Sequence, residues 1–363
     1  MKVAILGAGA GGLSAAVELS AAGHGVRLWN RSAAALEPLS AAGGIAYDGA
    51  FGAGFTPIEL ITPDLAEAAR RVDVLLVCLP TFALGSLAAA LVEVKIGFVP
   101  VILNPGHTGG ALEFAQVFRS RGRVVPPTVE LSTLTYVARK PSADRVVTTG
   151  RARSVRAAPL PGGADALRAA RALYESIVPT ANVLATSLSN VNLVLHPPGA
   201  VLGAAWIEAT KGEFTFYVQG LTDGVARVME RLDAERRAVA RALGQHLPSL
   251  FDEMRAIGTI ESCAEERAGL AAAIRGGVAN RRILAPDSLR HRYFHEDFWY
   301  GLKPFLSFAE IARVDVPVAQ ALWQLGETLV GPDAPHGGGR SAAQMGIAGM
   351  SGPELVRSVT EAA

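Results

Sequence analysis

The chain has 363 residues, half of them hydrophobic, and a formal net charge of +1 at pH 7. This length is sufficient for one to three domains with a large core. The near balance of charge gives no long-range attraction to nucleic acid or to an anionic membrane surface, so we expect neither as a partner.

The two cysteines, Cys78 and Cys263, are too few for a disulfide framework. They suit a reducing compartment, where we expect buried or inert thiols. The apolar runs are too short to cross a bilayer, and the early glycines do not fit a signal peptide. A soluble, cytoplasmic protein is therefore expected.

The first predicted element is a strand that ends at a glycine-rich turn. In "KVAILGAGAGG", Gly7, Gly9 and Gly12 form G-x-G-x-x-G, and the helical pattern "LSAAVELSAAG" follows. Gly7 would allow the tight turn, Gly9 would let the backbone approach a pyrophosphate, and Gly12 would let helix and strand pack closely. A second strand, "GVRLW", follows at the right distance. The segment predicts a dinucleotide site that includes Ala10 and Gly11, with a ligand-free turn as the alternative.

The end of the second strand bears on which dinucleotide binds. NAD-binding units usually have an acid there, whereas this chain has Asn30, Arg31 and Ser32. A guanidinium and a hydroxyl would bind a 2′-phosphate that an acid would repel. The sequence therefore favours NADP(H) over NAD(H), with a solvated Arg31 as the alternative.

Two further apolar runs predict parallel strands of the same sheet. The run from Asp73 to Leu79 ends at Pro80, and "FVPVIL" is followed by Asn104 and Gly106. Ligands of open α/β sheets bind beyond the carboxyl ends of the strands. We therefore expect the nicotinamide side of the site to be lined by Leu79, Pro80, Asn104 and Gly106. Plain turn residues are the alternative.

From about residue 182 the pattern changes to long amphipathic helices. The run from Gly224 to Leu247 has apolar residues at helical spacing. Ser307-x-x-Glu310 and Ser351-x-x-Glu354 are capping boxes, which predict helix starts. The expected fold class is α/β: an N-terminal Rossmann domain with a doubly wound, mostly parallel sheet over residues 1–182, then an all-α domain over 183–363.

The stretch "TSLSNVNLVLHPPG" places a titratable ring in an apolar segment. We predict a helix from Ser187 or Ser189 that is broken at His196, because two prolines follow directly and remove two backbone donors. A buried imidazole needs partners for both nitrogens. His196 is therefore a candidate catalytic acid/base, with a satisfied core histidine as the alternative.

A second cluster, Arg290 to Phe305, is dense in charges and aromatic rings and is expected to lie between helices. Its aromatic residues could desolvate Asp297, and a desolvated carboxylate needs a donor such as a histidine N–H. Arg292 can bind a carboxylate through two parallel hydrogen bonds. A subunit interface is one alternative. A metal site at His291 and His295 is another, but we expect no metal because no further ligand cluster follows.

With both clusters in view, the chain resembles the opine dehydrogenases of the N-(carboxyethyl)norvaline and octopine/nopaline type. The likeness spans nearly the whole chain through "AILGAGAGG", "ILNPGHTGGALEF", "TSLSNVNLVLHPPG", "FYVQGLT", "RYFHED" followed by "GLKP", and "GIAGMSG". The resemblance implies a Rossmann domain joined to a helical domain. It also implies the NADH- or NADPH-dependent condensation of an amino acid with a 2-keto acid.

The resemblance implies roles for three residues. His196 falls on the family's catalytic histidine, and as a general acid/base it would give a proton to the keto oxygen that leaves as water. Asp297 falls on the family's aspartate, which would fix the histidine tautomer. Arg292 falls on the arginine that binds the carboxylate of the keto acid.

The expected partners are an amino acid and a pyruvate-like 2-keto acid, with further contacts implied at Glu130, Asn192 and Tyr217. Where the family has Glu-Thr-Ser-Ser, this chain has Glu-Leu-Ser-Thr from Glu130 onward, which departs at the second position. A homodimer is also expected, because aromatic residues near Trp299 and Trp323 would suit an interface.

Two other functions fit the same architecture. A 2-keto or 3-hydroxy acid reductase would need no amine and would typically use a catalytic lysine, for which Lys303 is the candidate. A non-catalytic NADP(H) sensor would have no need for His196 and Asp297 together.

Overall fold

The computed structural model describes residues 1–278, 280–335 and 338–360. The chain divides into two compact units, of which the first comprises Met1–Gly106 and Gly110–Val183. The second comprises His107–Gly109 and the described residues from Leu184 to Thr360. No helix in the described ranges combines the length and apolar character needed to cross a membrane.

Among the described residues, the strands lie in the first unit. In chain order they are β1 (Lys2–Leu6), β2 (Gly25–Trp29), β3 (Gly44–Gly49), β4 (Gly54–Pro57), β5 (Leu60–Thr62), β6 (Val74–Val77), β7 (Val101–Leu103), β8 (Thr128–Leu131), β9 (Tyr136–Ser142), β10 (Arg145–Arg151), β11 (Val155–Pro159) and β12 (Ile177–Pro179). The large sheet has the order β12-β11-β8-β7-β6-β1-β2-β5. Its neighbouring strands are parallel except for β8 and β11.

The helices of this unit connect the strands of the large sheet. They are α1 (Ala10–Ala21), α2 (Ala33–Ala42), α3 (Leu65–Ala69), α4 (Leu84–Val94), α5 (Gly110–Ser120) and α6 (Ala164–Leu173), with a 3₁₀ turn at Thr81–Ala83. The central strands β1, β6 and β7 are buried almost throughout, which is why their sequences are continuous apolar runs rather than alternating ones. The predicted α/β fold class is confirmed.

A second, four-stranded sheet of order β4-β3-β10-β9 was not predicted. Its strands are short and rich in glycine and charge, so they lack a clear alternation of apolar and polar residues. The sheet packs on α1, where the hydroxyls of Ser14 and Thr148 lie 2.7 Å apart. The glycine-rich turn therefore leads into a helix that is supported by both sheets.

The second unit is helical. Its helices are α7 (Val183–Leu188), α8 (Asn192–Leu202), α9 (Ala204–Thr210), α10 (Asp223–Ala242), α11 (Leu250–Ile257), α12 (Leu270–Gly276), α13 (Arg292–His295), α14 (Lys303–Ala312), α15 (Pro317–Val330) and α16 (Gly352–Thr360). A π-helical turn at Phe298–Leu302 separates α13 from α14, and 3₁₀ turns lie at Glu266–Ala268 and Gly331–Asp333. The long amphipathic run is α10, which Thr222 caps by accepting from the amide of Val225.

One of the two predicted capping boxes is present. Ser351 precedes α16, and both its amide and its hydroxyl donate to Glu354 (2.8 and 2.6 Å). The prediction at Ser307 is wrong, because Ser307 lies inside α14. Its hydroxyl is 3.4 Å from the carbonyl of Lys303 one turn earlier, where a serine is tolerated in a helix interior.

The predicted break at His196 is also wrong. The helix begins at Asn192 instead of Ser187 or Ser189, and it continues through His196, Pro197 and Pro198. Every residue from Leu193 to Val201 is buried. Packing on all sides therefore outweighs the two missing backbone donors, whose loss would break an exposed helix.

The segment Arg290 to Phe305 is helical over most of its length, contrary to the prediction. Within it, Trp299 is 2 % exposed and packs edge-on against Trp323 at 5.4 Å between ring centroids. The aromatic residues that suggested a dimer interface are thus used within one chain, and the homodimer stays a prediction without that support. Cys78 is buried as expected, but Cys263 is exposed, so only one of the two thiols is buried.

Candidate active site

The glycine-rich turn between β1 and α1 has the geometry that a dinucleotide site needs. Gly7 has a φ of +126°, and a Cβ there would collide with the carbonyl oxygen of Cys78. A Cβ on Gly12 would collide with the carbonyl oxygen of Gly7, whereas one on Gly9 would meet nothing within 4 Å. The N-cap residue of α1 is Gly9, which has no side chain to cap the first turn. The space beside Gly9 and the first amides of α1 therefore fit a pyrophosphate.

The three residues after β2, Asn30, Arg31 and Ser32, differ in whether their side chains already have partners in the protein. Ser32 caps α2, because its hydroxyl accepts from the amide of Ala35 (3.3 Å), and Asn30 Nδ2 lies 3.5 Å from the Ser32 carbonyl. Arg31 is exposed, and its guanidinium has no ion-pair partner within the ranges that the structure describes. Of the three side chains, Arg31 is thus the one most available to an anion.

The predicted nicotinamide-side residues lie at the ends of β6 and β7. Leu79 is half-buried and Pro80 is exposed. Asn104 is fully buried and is held by Thr135: its Nδ2 donates to Thr135 Oγ1 (3.0 Å), and its Oδ1 accepts from the Thr135 amide (3.2 Å). The side chain of Asn104 therefore fixes the turn after β7, and its contact with the cofactor stays a prediction.

Gly106 and Glu130 pack against each other. A Cβ on Gly106 would collide with the Glu130 side chain, and Glu130 is fully buried. Glu130 Oε2 accepts from the amide of Ala111 (2.8 Å) at the start of α5. A negative charge at this end of a helix interacts favourably with the helix dipole. The carboxylate thus stabilises the start of α5, and its predicted contact with substrate remains untested.

Sequence reasoning missed Lys140 as a neighbour of the glycine-rich turn. Its Nζ donates to the carbonyl oxygen of Ala8 (2.9 Å) from β9 of the small sheet. Partial burial lowers the pKa of this ammonium group. Because the small sheet was not predicted, no local pattern could have placed this cation beside the turn.

In the second unit, His196 and Asp297 form a buried dyad. Nδ1 of His196 lies 2.6 Å from Oδ2 of Asp297, and the two side chains are 3 % and 4 % exposed. A carboxylate only accepts, so Nδ1 carries the hydrogen of this bond. In the neutral ring, Nε2 is then an acceptor, and it lies 2.8 Å from Oη of Tyr217. Both ring nitrogens therefore have partners.

Aromatic rings enclose the histidine. Tyr293 stacks on its ring at 3.7 Å between centroids and an interplanar angle of 17°, and Phe216 meets it edge-on at 6.2 Å. Tyr217 is 6 % exposed. Its burial, the nearby Tyr293 and the charge of Asp297 hold its pKa well above the ordinary value for tyrosine. Tyr293 and Phe216 were missed, although each adjoins a residue that the sequence analysis named.

The backbone around Asp297 explains how its carboxylate is held. Asp297 directly precedes the π-helical turn, and its carbonyl accepts from the amide of Leu302 five residues later (2.8 Å). Such turns are rare and occur often at functional sites. Asp297 is 3 % exposed, and Phe294 and Phe298 on either side of it in the chain are fully buried. That these rings desolvate the carboxylate stays a prediction.

Arg292 lies one helical turn before Glu296. Its Nη1 is 4.0 Å from Glu296 Oε2, yet the guanidinium side chain is 61 % exposed. The guanidinium carbon lies 5.8 Å from the centroid of the Tyr293 ring that stacks on His196. A long ion pair of this kind leaves most of the hydrogen-bond donors of Arg292 available to another carboxylate.

The loop His107–Gly109 is fixed beside these residues, which the sequence did not predict. His107 Nε2 lies 3.7 Å from the other oxygen of Glu296. Thr108 Oγ1 accepts from Asn190 Nδ2 (3.1 Å), and its carbonyl accepts from the fully buried guanidinium of Arg340 (2.7 Å). Burial lowers the pKa of His107, while Glu296 and Asp297 oppose that shift.

Asn192 and His291 both lie at the start of a helix. Asn192 is half-buried at the start of α8, one turn before His196, so the two lie on the same side of the helix. His291 Nδ1 accepts from the amide of Tyr293 (3.3 Å) and thereby caps α13. Among the described residues, no three histidine, cysteine or acidic side chains are grouped as a metal ion would require.

Comparison with known proteins defines the class and the family. Residues 3–102 match the model of ketopantoate reductase PanE/ApbA, and residues 179–330 match that of the NAD/NADP octopine/nopaline dehydrogenase alpha-helical domain. An opine dehydrogenase from Arthrobacter sp. (strain 1C) is 32 % identical over 360 residues, which cover 99 % of this chain and 98 % of the relative.

Solved structures with the same fold include octopine dehydrogenase, determined with NADH and agmatine (TM-score 0.78, 18 % identity, 99 % of this chain and 98 % of that one). The same enzyme has been determined with NADH and pyruvate (TM-score 0.73, 20 % identity, 95 % of each chain). Yersinopine dehydrogenase with NADP⁺ bound has a TM-score of 0.71, with 16 % identity over 99 % of this chain and 98 % of that one.

Fold and site thus define an NAD(P)-dependent dehydrogenase. The chain belongs to the opine dehydrogenase family, whose members are oxidoreductases that act on CH–NH bonds. The reaction of the family is the reductive condensation of an amino acid with a 2-keto acid.

Proposed function

We propose that this chain joins an amino acid to a short 2-keto acid such as pyruvate, with NADPH as the preferred reductant. The observation that carries the proposal is the buried chain of hydrogen bonds from Asp297 through His196 to Tyr217 (2.6 and 2.8 Å). Reductive condensation requires a proton to be delivered to an oxygen that leaves as water. A buried imidazole that is oriented by a carboxylate is suited to that task, because it can take up a proton and then deliver it.

His196 is the proposed general acid/base. As it takes up a proton, Asp297 stabilises the imidazolium and keeps the ring in one orientation. Delivery of that proton converts the hydroxyl of the carbinolamine into water and leaves the C=N bond. Acid/base catalysis of this kind contributes about a hundredfold to ten-thousandfold to the rate. Bound NADPH supplies the hydride that reduces the C=N carbon.

Arg292 is the proposed ligand of the keto acid carboxylate. Its guanidinium is mostly exposed and lies over the ring of Tyr293, which in turn stacks on His196. A carboxylate held there would keep the adjoining carbonyl group near His196 and Tyr217. Asn192, one turn before His196, is a further proposed contact of the substrate.

The preference for NADPH rests on Arg31. This guanidinium is exposed at the end of β2, where an NAD-binding unit would have an acid. The residues that would hold the rest of the dinucleotide are the amides of Gly9 to Gly12, with Ser32 beside Arg31. Both NADH and NADP⁺ occur in the structures with the same fold, which supports the general site and leaves the preference a proposal.

A reductase that needs no amine is the second candidate, because the ketopantoate reductase model matches residues 3–102. That match covers the cofactor-binding part only. The lysine that such a mechanism would use, Lys303, donates to the carbonyl of Gly338 and lies 5.9 Å from the centroid of the Trp323 ring. It is thus engaged in packing, which favours the opine reaction.

The test is NADPH oxidation with keto acid alone, amino acid alone and both together, across a matrix of the two substrates. The proposal predicts oxidation only when both are present. Oxidation with keto acid alone would instead identify a reductase. Binding of NADPH without turnover under every condition would identify a sensor.

A further inference from the structure

The hydroxyl of Tyr217 occupies the free nitrogen of the imidazole ring of His196. Its Oη lies 2.8 Å from His196 Nε2, and the other ring nitrogen is held by Asp297 at 2.6 Å. One face of the ring is covered by Tyr293 at 3.7 Å, and His196 is 2 % exposed. No nitrogen of this ring can therefore bond a substrate in this arrangement.

We propose that Tyr217 is itself a catalytic residue, which passes the proton between His196 and the oxygen of the substrate. This inference rests on the proposed function, since it assigns the last step of that proton's path. It replaces direct transfer from the imidazole with a relay of two hydrogen bonds.

The hydrogen-bond directions support a relay. With the hydrogen on Nδ1 directed to Asp297, neutral His196 accepts from the hydroxyl of Tyr217. Once the ring is protonated, Nε2–H donates to the Tyr217 oxygen instead. The hydroxyl hydrogen of Tyr217 is then released from the imidazole and can point to a substrate oxygen.

In the relay, two protons move while one C–O bond breaks and one C=N bond forms. The hydroxyl of the carbinolamine leaves as its C–O bond breaks, and it takes the hydroxyl proton of Tyr217 to become water. The Nε2–H bond of His196 breaks at the same time, and its proton moves to the Tyr217 oxygen. The nitrogen lone pair of the substrate forms the C=N bond. His196 ends neutral, and Tyr217 ends as it began.

The surroundings of Tyr217 favour transfer of both protons together. The groups that face it are His196, Asp297, Arg292 and Tyr293, of which Tyr293 also forms a side-chain hydrogen bond with it, and Phe216 meets it edge-on at 5.0 Å. Burial and the nearby Tyr293 raise the pKa of Tyr217 well above its ordinary value, so a free tyrosinate is disfavoured. Transfer in which the hydroxyl receives one proton as it gives up another is therefore favoured.

The position of Tyr217 is also rigid. Its neighbour Phe216 packs against Gly199 so closely that a Cβ on Gly199 would collide with the Phe216 ring. The amide of Phe216 donates to the carbonyl of Ile283 (2.9 Å). A fixed backbone keeps the Tyr217 hydroxyl within reach of His196, as a relay requires.

The first experiment replaces the hydroxyl alone, in Tyr217→Phe, with Tyr47→Phe as the matched control. Tyr47 lies on β3 of the small sheet, in the other unit. The expected result for Tyr217→Phe is a fall in kcat of about a hundredfold or more, with the Kd for NADPH by fluorescence titration and the melting temperature near wild type. A variant with unchanged or higher kcat would show that Tyr217 only covers His196 and would overturn the relay. A raised KM with normal kcat would reduce Tyr217 to a binding residue and would also overturn it.

The second experiment uses the wild-type enzyme, so it does not depend on the folding of a variant. The rate of the dehydration-limited reaction is measured in mixtures of H₂O and D₂O. Two protons in flight predict a downward-curved dependence on the deuterium fraction, and one proton predicts a straight line. A straight line contradicts the relay. Absence of any amine-dependent NADPH oxidation would instead overturn the proposed function, so the two failures are distinct.

Discussion

Nδ1 of His196 and Oδ2 of Asp297 lie 2.6 Å apart although 101 positions separate the two residues in the chain. α8 supplies the histidine, and the segment between α13 and the π-helical turn supplies the aspartate. Both side chains are buried, so each supplies a hydrogen-bond partner that the other could not obtain from water. The dyad is therefore a single functional unit.

Replacement of Asp297 by Asn tests this unity. The amide keeps the shape of the side chain but favours the wrong imidazole tautomer. We therefore expect kcat to fall by about a hundredfold to ten-thousandfold. The Kd for NADPH, measured by fluorescence titration, should stay near wild type. The double variant with His196→Ala should be little slower than His196→Ala alone, because residues that act as one unit are not additive.

Glu310→Gln is a suitable control for the Asp297 experiment, because it neutralises a carboxylate on the exposed side of α14. It should leave kcat unchanged. Full additivity of His196→Ala and Asp297→Asn would contradict a dyad.

Arg292→Lys tests recognition of the keto acid. The change keeps the charge but loses the planar fork that binds a carboxylate through two hydrogen bonds. A contact of this kind contributes about 1.5–3 kcal/mol, so we expect the KM for the keto acid to rise about tenfold or more. The KM for the amino acid should change less.

Arg290→Lys is the matched control for Arg292→Lys. Arg290 lies two residues earlier and forms an exposed ion pair with Asp333 (2.9 Å). It should leave both KM values unchanged. A lower melting temperature with a normal keto acid KM in Arg292→Lys would show that Arg292 only braces Glu296.

Arg31→Ala tests the cofactor preference. Loss of one charge-assisted contact with the 2′-phosphate should raise the Kd for NADPH about tenfold or more and leave the Kd for NADH nearly unchanged. Arg123→Ala removes an exposed arginine elsewhere in the same unit and serves as the control. A wild-type enzyme that already prefers NADH would contradict the role given to Arg31.

Two glycine variants separate ligand binding from folding. Ala at position 9 meets no protein atom within 4 Å, so Gly9→Ala should fold normally and bind NADPH more weakly by intruding on its phosphates. Ala at position 12 collides with the carbonyl of Gly7, so Gly12→Ala should lower the melting temperature. Equal NADPH affinity in Gly9→Ala and wild type would contradict placement of the pyrophosphate at this turn.

His107 predicts a pH dependence of stability. Burial lowers its pKa from 6.5, so the unfolded chain takes up a proton before the folded one. Stability is therefore fully present above pH 6.5 and is lost as the pH falls below it, by at most about 1.4 kcal/mol per pH unit. His107→Asn, which tolerates the left-handed backbone at φ +61°, should flatten this slope. Parallel curves of unfolding free energy against pH would contradict a lowered pKa.

The parts of the structure that sequence predicted are those encoded locally. The glycine turn, the buried central strands and α10 each follow from a pattern within about twenty residues. The proximity of His196 to Asp297 was implied by family resemblance and could not come from spacing, because the two lie on separate elements. The structure places them within hydrogen-bond distance.

The features that sequence missed depend on long-range packing. Tyr217 was named as a substrate contact, but its contact with His196 was not, and Tyr293 was missed altogether. Both contacts depend on the packing of α8 against α13 and the loop before α10. α8 also continues through Pro197 and Pro198, which the sequence pattern alone predicts to break the helix, because the helix is buried. The loop His107–Gly109 follows β7 in the chain yet belongs to the helical unit.

The most direct test of whether the enzyme joins an amino acid to a keto acid is to follow two isotopic labels through one reaction. The enzyme is given NADPH with deuterium at the transferred position, a ¹⁵N-labelled amino acid and unlabelled keto acid, and the product is analysed by mass spectrometry and NMR. The account predicts a single secondary amine that retains ¹⁵N, with deuterium on the carbon that was the keto carbon. A 2-hydroxy acid that carries the deuterium and no ¹⁵N would contradict it.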